Sequence, residues 1–138
     1  MSVLNLRSQK LKPGLLSVAC AVLCLSALPA GSFAAADAET RADIEAILKK
    51  LGNSSCEFQR NGTWYGGEEA AAHLRRKFEY LDRRNLATSV NIFIERAGTT
   101  SSLSGKPYSV RCPGQPVISG SAWLNDAWRS VKQNAGQP

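Results

Sequence analysis

The sequence has few residues on which catalytic or metal-dependent chemistry could depend. Its 138 residues include a single histidine, His73, which excludes any metal site built from two or more histidines. Gly105-Lys106 is not a phosphate-binding loop, because that motif needs a glycine where this chain has Thr100 and a hydroxyl residue where it has Pro107. Neither a Gly-x-Ser-x-Gly motif nor, beyond residue 36, a Ser-x-x-Lys pair occurs. The sequence therefore predicts no catalytic set, no metal and no cofactor.

The first 36 residues have the three parts of a secretory signal peptide. A basic start precedes an uninterrupted run of 15 apolar and small residues at 14–28, and a Pro-Ala-Gly break with further small residues follows. Cleavage after Ala34 and cleavage after Ala36 fit this pattern equally well. A membrane-spanning helix needs about 20 apolar residues, so the run is too short to be an anchor. We therefore expect a periplasmic or secreted protein that consists of residues 37–138, one small domain without a transmembrane segment.

The basic excess of the sequence belongs largely to this signal segment. The whole chain has 17 Lys and Arg against 11 Asp and Glu, a formal net charge of +6. Residues 1–36 hold three basic and no acidic residues, so without them the net charge falls to +3. Nucleic-acid binders usually keep a stronger basic excess that is clustered on one face. The sequence therefore predicts no nucleic-acid partner.

Two cysteines remain after the signal segment, Cys56 and Cys112. In an exported protein such a pair is typical of a structural disulfide rather than of a metal or catalytic site. The chain-entropy model gives a bridge across a loop of this length about 4 kcal/mol of stabilisation. An oxidised cysteine cannot act as a nucleophile, so this pair is expected to contribute stability rather than chemistry.

Hydrophobic periodicity predicts an α+β domain, with about four short helices packed against a small antiparallel sheet that is held by one disulfide. The predicted helices begin at a Thr40 cap and end at Gly52, run from Glu68 to Arg84, run from Thr88 or Ser89 to Ala97, and follow a cap at Ser119 or Ser121. The third segment also alternates apolar and polar residues as a strand does, so both assignments are open. The tail after Lys132 is expected to fray.

The sheet is expected to consist of a hairpin plus one further strand. Asn61-Gly62 separates two β-rich runs and favours a two-residue turn, because both turn residues need positive φ. Such a turn would pair Phe58 with Tyr65 and Gln59 with Trp64. The third strand, at 107–112, would be held beside the first hairpin strand by the predicted disulfide.

Several motifs occur in a specific order along the chain. They are Cys56-Glu57-Phe58-Gln59-Arg60-Asn61-Gly62, then Ala71-Ala72-His73-Leu74-Arg75-Arg76-Lys77, then Ser101-Ser102-Leu103-Ser104-Gly105-Lys106-Pro107-Tyr108, then Cys112-Pro113-Gly114 and finally Trp123-Leu124. This combination, within residues 41–131, resembles the YfeK-like family of exported bacterial proteins of unknown function. The resemblance implies a periplasmic or secreted bacterial location and a paired Cys56–Cys112. It implies no activity.

The second predicted helix carries one polar stripe beside its buried face, formed by Glu69, His73, Lys77, Tyr80 and Arg84. If the 101–106 loop or the hairpin folds over this stripe, several cationic and hydroxyl groups converge in a patch that suits an anion. The candidate ligand-binding residues are Arg60, Asn61, His73, Lys77, Ser102, Lys106 and Tyr108. The alternative is that Glu69, His73 and Lys77 only pair with one another on the surface of the helix, or that His73 donates to a backbone carbonyl and holds that loop.

Two classes of function are consistent with these features. The first is a non-catalytic binding or structural protein whose partner is an envelope protein or an anionic cell-wall ligand. The second is a small envelope hydrolase with His73 as its acid or base, although no spacing in the sequence selects partners for that histidine. The absence of a recognisable catalytic set favours the first class.

Overall fold

The computed structural model describes residues 36–136. The predicted signal segment up to residue 35 lies outside this range, as do the last two residues. The elements in chain order are α1 (Ala38–Gly52), β1 (Glu57–Arg60), β2 (Thr63–Gly66), α2 (Gly67–Asp82), α3 (Val90–Phe93) with a π-helical turn (Ile94–Gly98), β3 (Ser109–Arg111), β4 (Ile118–Ser119) and α4 (Gly120–Ala135). The predicted class, four helices with a small antiparallel sheet and one disulfide, is confirmed.

The cap of the first helix lies three residues before the predicted one. Asp37 is the N-cap, and its carboxylate accepts a 2.7 Å hydrogen bond from the backbone N–H of Thr40. The prediction of a Thr40 cap was therefore wrong, because the carboxylate of Asp37 satisfies that amide from outside the helix. The predicted apolar face is confirmed: Ile44, Ile47, Leu48 and Leu51 are all buried.

The second helix starts directly at the end of the hairpin and stops two residues before Arg84. Its first residue, Gly67, packs so tightly that a Cβ atom would lie 2.3 Å from the carbonyl oxygen of Leu51, so this position needs glycine. The helix ends because Asn85 adopts a positive φ of 56° and the N–H of Leu86 bonds back to the carbonyl of Leu81 over 2.9 Å.

The third segment is helical, so the alternative assignment as a strand is wrong. The hydroxyl of Ser89 caps it by accepting a 3.3 Å hydrogen bond from the N–H of Ile92. Ser89 is one of the two predicted starting residues of this helix. After one α-helical turn the backbone widens into the π-helical turn that ends at Gly98. Such turns occur often at functional sites, and this one brings the carbonyl of Ala97 toward α2.

The sheet has the strand order β2-β1-β3-β4 and is antiparallel throughout. The predicted hairpin register is confirmed, because Phe58 pairs with Tyr65 and Gln59 with Trp64. The predicted third strand is shorter than expected, and the two-residue strand β4 was not predicted because so short a segment shows no alternation. The predicted Cys56–Cys112 disulfide is present and joins the residues that flank the ladder between β1 and β3.

The helices cover one face of the sheet and enclose the core between them. Phe58 contributes from the sheet, where its ring meets the ring of Trp123 edge to face with centroids 5.1 Å apart. Ser119 caps α4, in agreement with one of the two predicted caps, and the helix continues to Ala135, beyond the predicted end at Lys132. Within residues 36–136 no helix is both long and apolar enough to cross a membrane.

The pairing of β1 with β3 determines where the candidate site forms. Gln59 lies opposite Ser109, so Arg60 and Tyr108 are the next residues beyond that pair at the same end of the sheet. α2 packs across this end and presents His73 to both residues. Residues that are far apart in the sequence therefore meet at one edge of the core.

Candidate functional site

A cavity of about 450 Å³ lies between the hairpin tip, α2 and the segment before β3. We call it the cationic cavity. The structure brings six of the seven candidate ligand-binding residues to its wall: Arg60, Asn61, His73, Lys77, Ser102 and Tyr108. Lys106 is exposed and is not among the lining residues, so it does not join the others.

The wall is assembled by backbone features of three segments. His73 and Lys77 lie one helical turn apart on α2. Asn61 occupies the hairpin turn with a positive φ of 53°, and its side-chain oxygen accepts a 2.5 Å hydrogen bond from the hydroxyl of Ser104. This bond ties the hairpin tip to the 101–106 loop. The loop therefore folds beside the polar stripe, as one of the two sequence interpretations required.

A chain of hydrogen bonds fixes the protonation of His73. An Nη1 atom of Arg60 lies 2.6 Å from Nδ1 of His73. A guanidinium group can only donate, so Nδ1 must accept, and the neutral ring carries its hydrogen on Nε2. That Nε2 atom lies 3.4 Å from the hydroxyl oxygen of Tyr108 and donates to it.

Lys77 uses all of its donors within the fold. Its ammonium group donates to the carbonyl of Ala97 over 2.8 Å, to the carbonyl of Thr100 over 3.2 Å and to the hydroxyl of Tyr108 over 3.4 Å. The oxygen of Tyr108 therefore receives hydrogens from both Lys77 and His73, which occupies its two lone pairs. The hydrogen of this hydroxyl is left available to a further acceptor.

The charged residues that line the cationic cavity are all basic. Among the residues that the structure describes, no carboxylate lines it. Within residues 36–136, neither Arg60 nor Lys77 takes part in a salt bridge. Both side chains are only partly exposed, so solvent screens their charges incompletely. The cavity is therefore a region of positive potential whose counter-ion does not come from the described part of the chain.

The pKa values of the lining groups follow from the same burial and charges. Burial, together with the positive charges of Arg60, Lys77 and Arg76, lowers the pKa of His73 to about 4. Burial also lowers the pKa of Lys77, with an additional contribution from Arg60. Burial raises the pKa of Tyr108, so its hydroxyl stays protonated. At neutral pH the cavity thus offers two cations, a neutral imidazole and a phenol.

The sequence belongs to a recognisable family. Residues 38–132 match the family of unknown function DUF5329. The chain belongs to this family. It is also 38% identical over 93 residues to the uncharacterized protein YfeK of Salmonella typhimurium, an alignment that covers 66% of this chain and 74% of that protein. No solved structure matches the chain. The resemblance to the YfeK-like family that the sequence motifs indicated is thereby confirmed.

One aromatic residue of the cationic cavity was not predicted from the sequence. Tyr65 lines the cationic cavity, and the guanidinium carbon of Arg60 lies 4.8 Å from the centre of its ring. The predicted hairpin register could have identified it. Tyr65 pairs with Phe58, and Arg60 lies two residues from Phe58 on the same strand face, so the three side chains share one face.

The residues of the polar stripe of α2 lie in different environments. Only His73 and Lys77 reach the cationic cavity. Tyr80 is half exposed, and the guanidinium carbon of Arg84 lies 3.8 Å from the centre of its ring, so these two residues form a surface pair of their own. Tyr80 and Arg84 therefore lie outside the converging patch, which takes in only the middle of the stripe.

The residues present favour anion binding over metal binding. Within the part of the chain that the structure describes, no three His, Cys, Asp or Glu side chains cluster as metal ligands. The Nδ1 atom of His73 is already an acceptor for Arg60, and the neighbouring charges are positive. A metal cation would be repelled here, whereas an anion would find the guanidinium group of Arg60, the free hydrogen of the Tyr108 hydroxyl and the nearby positive charge of Lys77.

Proposed function

We propose that this protein is an exported, non-catalytic binding protein that holds a small anionic component of the bacterial envelope in the cationic cavity. The observation that carries the proposal is the pair of partly buried cations, Arg60 and Lys77, without a carboxylate in the cavity wall. A charge that is partly removed from water is costly unless an opposite charge accompanies it. A bound anion would supply that charge.

The contacts of His73 argue against the alternative of a hydrolase that uses it as acid or base. A general base needs a free lone pair, but Nδ1 already accepts from Arg60. A general acid needs a pKa near the working pH, but the pKa of this ring is lowered to about 4. His73 is better suited to orient Arg60 and Tyr108 around a ligand.

Export rests on the predicted signal segment, and the start of the folded domain favours one of its two cleavage positions. Ala36 is buried in the core, and its carbonyl accepts a 3.1 Å hydrogen bond from the side chain of Arg41. Cleavage after Ala34 keeps this residue, whereas cleavage after Ala36 would remove it. Protein from an envelope fraction should therefore have the mass of a chain that starts at Ala35. A full-length mass would contradict export.

The binding proposal is tested by titrating the folded protein with inorganic phosphate and with acetate, followed by NMR shifts of the His73 and Tyr108 amides. Arg60→Met should weaken binding by about 10- to 100-fold, because it removes a charged hydrogen-bond donor. The matched control is Arg75→Met, which removes the same charge from a residue that is paired with Glu45 outside the cavity. This control should leave the affinity nearly unchanged.

Two results would contradict the proposed function. If neither anion shifts these amides, the cavity does not bind anions. If both variants weaken binding equally, the effect is a general response to net charge rather than recognition in the cavity.

A further inference from the structure

A second, smaller cavity adjoins the cationic cavity from the side of the core. Its volume is about 60 Å³, and most of its wall is apolar, with contributions from Leu51, Phe58, Ala70, Leu74 and Leu124. The side chain of Gln59 and the exposed residues Glu69 and Arg76 also border it. We call it the apolar cavity.

The two cavities share four residues of their walls: Arg60, Tyr65, His73 and Tyr108. On one side of these residues lie cationic and hydroxyl groups, and on the other lie the side chains of the core. One small molecule that contacts the shared residues can therefore reach both environments. The chemistry of the two sides differs, so the two ends of such a molecule must differ as well.

We propose that the ligand is a small organic acid, with its anionic group in the cationic cavity and one short apolar substituent in the apolar cavity. This inference rests on the proposed function, and it adds the chemical class of the ligand. Arg60 and the free hydrogen of the Tyr108 hydroxyl lie at the shared wall, where they would donate to the anionic group. The substituent would then enter between Leu74 and Leu124.

The apolar cavity suits an apolar group better than it suits water. It is large enough for a water molecule, but a buried water usually needs two to four polar partners, and most of this wall offers none. An alkyl group gains from every methylene that leaves water, by about 0.8 kcal/mol. The affinity for straight-chain acids should therefore rise about fourfold per added methylene until the cavity is full.

The test measures the affinity of the folded protein for straight-chain carboxylates from acetate to hexanoate, at constant pH and ionic strength. The expected result is a rise with chain length that stops at an intermediate length. Ala70→Leu fills the apolar cavity from α2, so in this variant the longer acids should bind no more tightly than acetate does, and the rise with chain length should disappear. Ala72→Leu is the matched control, because Ala72 lies on the same helix and does not line either of these two cavities. It should keep the rise.

A second measurement does not depend on the folding of any variant. In the wild-type protein, the terminal methyl group of bound butyrate should give intermolecular NOEs to the methyl groups of Leu74 and Leu124. NOEs to Leu103 alone would place the alkyl chain outside the apolar cavity and overturn the inference.

The outcomes separate this inference from the proposed function. If all the acids bind with the same affinity and Arg60→Met abolishes that binding, the cavity binds anions but does not select an apolar substituent, and the inference fails alone. If neither phosphate nor any carboxylate binds, the proposed function fails and the inference fails with it. A rise that persists in Ala70→Leu also overturns the inference.

Discussion

The helix α2 borders two cavities whose charges are arranged in opposite ways. On one side, a groove of about 770 Å³ next to α1 is lined by both acidic and basic residues, and Arg75 pairs there with Glu45 over 2.8 Å. On the other side, His73 and Lys77 face the cationic cavity, whose wall has no carboxylate. The chain balances its charges in the groove and leaves them unbalanced in the cavity. This difference, rather than the number of basic residues, identifies where an anion would bind.

A similar balance extends along the contact between α1 and α4. Lys132 lies 2.8 Å from Glu39 and 3.3 Å from Asp43, and the indole N–H of Trp128 donates to Asp43 over 3.1 Å. An exposed ion pair such as that with Glu39 contributes at most about 1 kcal/mol, and the less exposed carboxylate of Asp43 has two partners within the chain. The charges of these cations are balanced by carboxylates within the chain, so we expect neutral substitutions of them to be tolerated. Neutral substitutions of the cations in the cationic cavity should not be tolerated.

The largest expected effect comes from breaking the disulfide, which joins the residues beside one end of the paired strands β1 and β3, while Arg60 and Tyr108 lie at the other end. Cys56 and Cys112 are separated by 56 positions, so the bridge is expected to contribute about 4 kcal/mol. For a domain of this size the loss corresponds to a decrease of roughly 15–30 °C in Tm. Thermal unfolding followed by circular dichroism, with and without reductant, measures it.

The double variant Cys56→Ser/Cys112→Ser controls for other effects of the reductant. It should unfold at the Tm of the reduced protein and should not respond to reductant. An unchanged Tm of the wild-type protein under conditions that reduce the bond would contradict a stabilising role for the bridge.

The features of the fold that local sequence determines were predictable. The alternation around Asn61-Gly62 gave the hairpin register, and the helical spacing of Ile44, Ile47, Leu48 and Leu51 identified a buried face. The cap of α1 was not predictable with the same certainty, because Asp37 and Thr40 are both good capping residues. The choice depends on which side chain reaches a free N–H, which only the three-dimensional structure decides.

The candidate site was predictable only in part. Helical spacing placed His73 and Lys77 together, but the bond between Arg60 and His73 depends on packing between segments that no local pattern encodes. Lys106 was predicted at the site because the whole 101–106 loop was expected to fold over the stripe of α2. Ser102 does line the cavity, but the chain turns at Gly105 with a positive φ, and Lys106 beyond it is exposed and does not line the cavity.

A smaller effect should distinguish a lysine of the cavity from a lysine of the α1–α4 contact. Lys77→Met leaves the carbonyl groups of Ala97 and Thr100 without their donor, and an unsatisfied buried polar group costs about 1–3 kcal/mol. Lys132→Met removes an exposed ion pair with Glu39 and one with the less exposed Asp43, which keeps its hydrogen bond from Trp128, so it should cost only about 1 kcal/mol. Urea unfolding of both variants measures the difference. Equal losses would mean that Lys77 is no more integrated into the fold than a surface lysine.

The smallest expected effect concerns the response of the fold to acid. In the unfolded chain His73 has an ordinary pKa near 6.5, and in the folded protein burial and the neighbouring cations lower that pKa to about 4. Between these values the unfolded chain binds more protons than the folded protein, so the free energy of unfolding decreases as the pH falls from about 6.5 toward about 4. The Tm of the wild-type protein should fall by a few degrees more than that of His73→Gln between about pH 7.5 and about pH 5. Parallel decreases would contradict a lowered pKa.

The same measurement, repeated with a bound anion, also distinguishes the cationic cavity from the groove beside α1. An anion bound beside Arg60 and Lys77 would offset the positive charges that disfavour protonation of His73, so the pKa of the ring should rise toward its ordinary value. Saturating sulfate, whose charge does not change between these pH values, should therefore make the wild-type pH dependence shallower and leave that of His73→Gln unchanged. Sulfate bound only in the charge-balanced groove would leave both profiles unaltered. The acid response thus reports which side of α2 holds the anion.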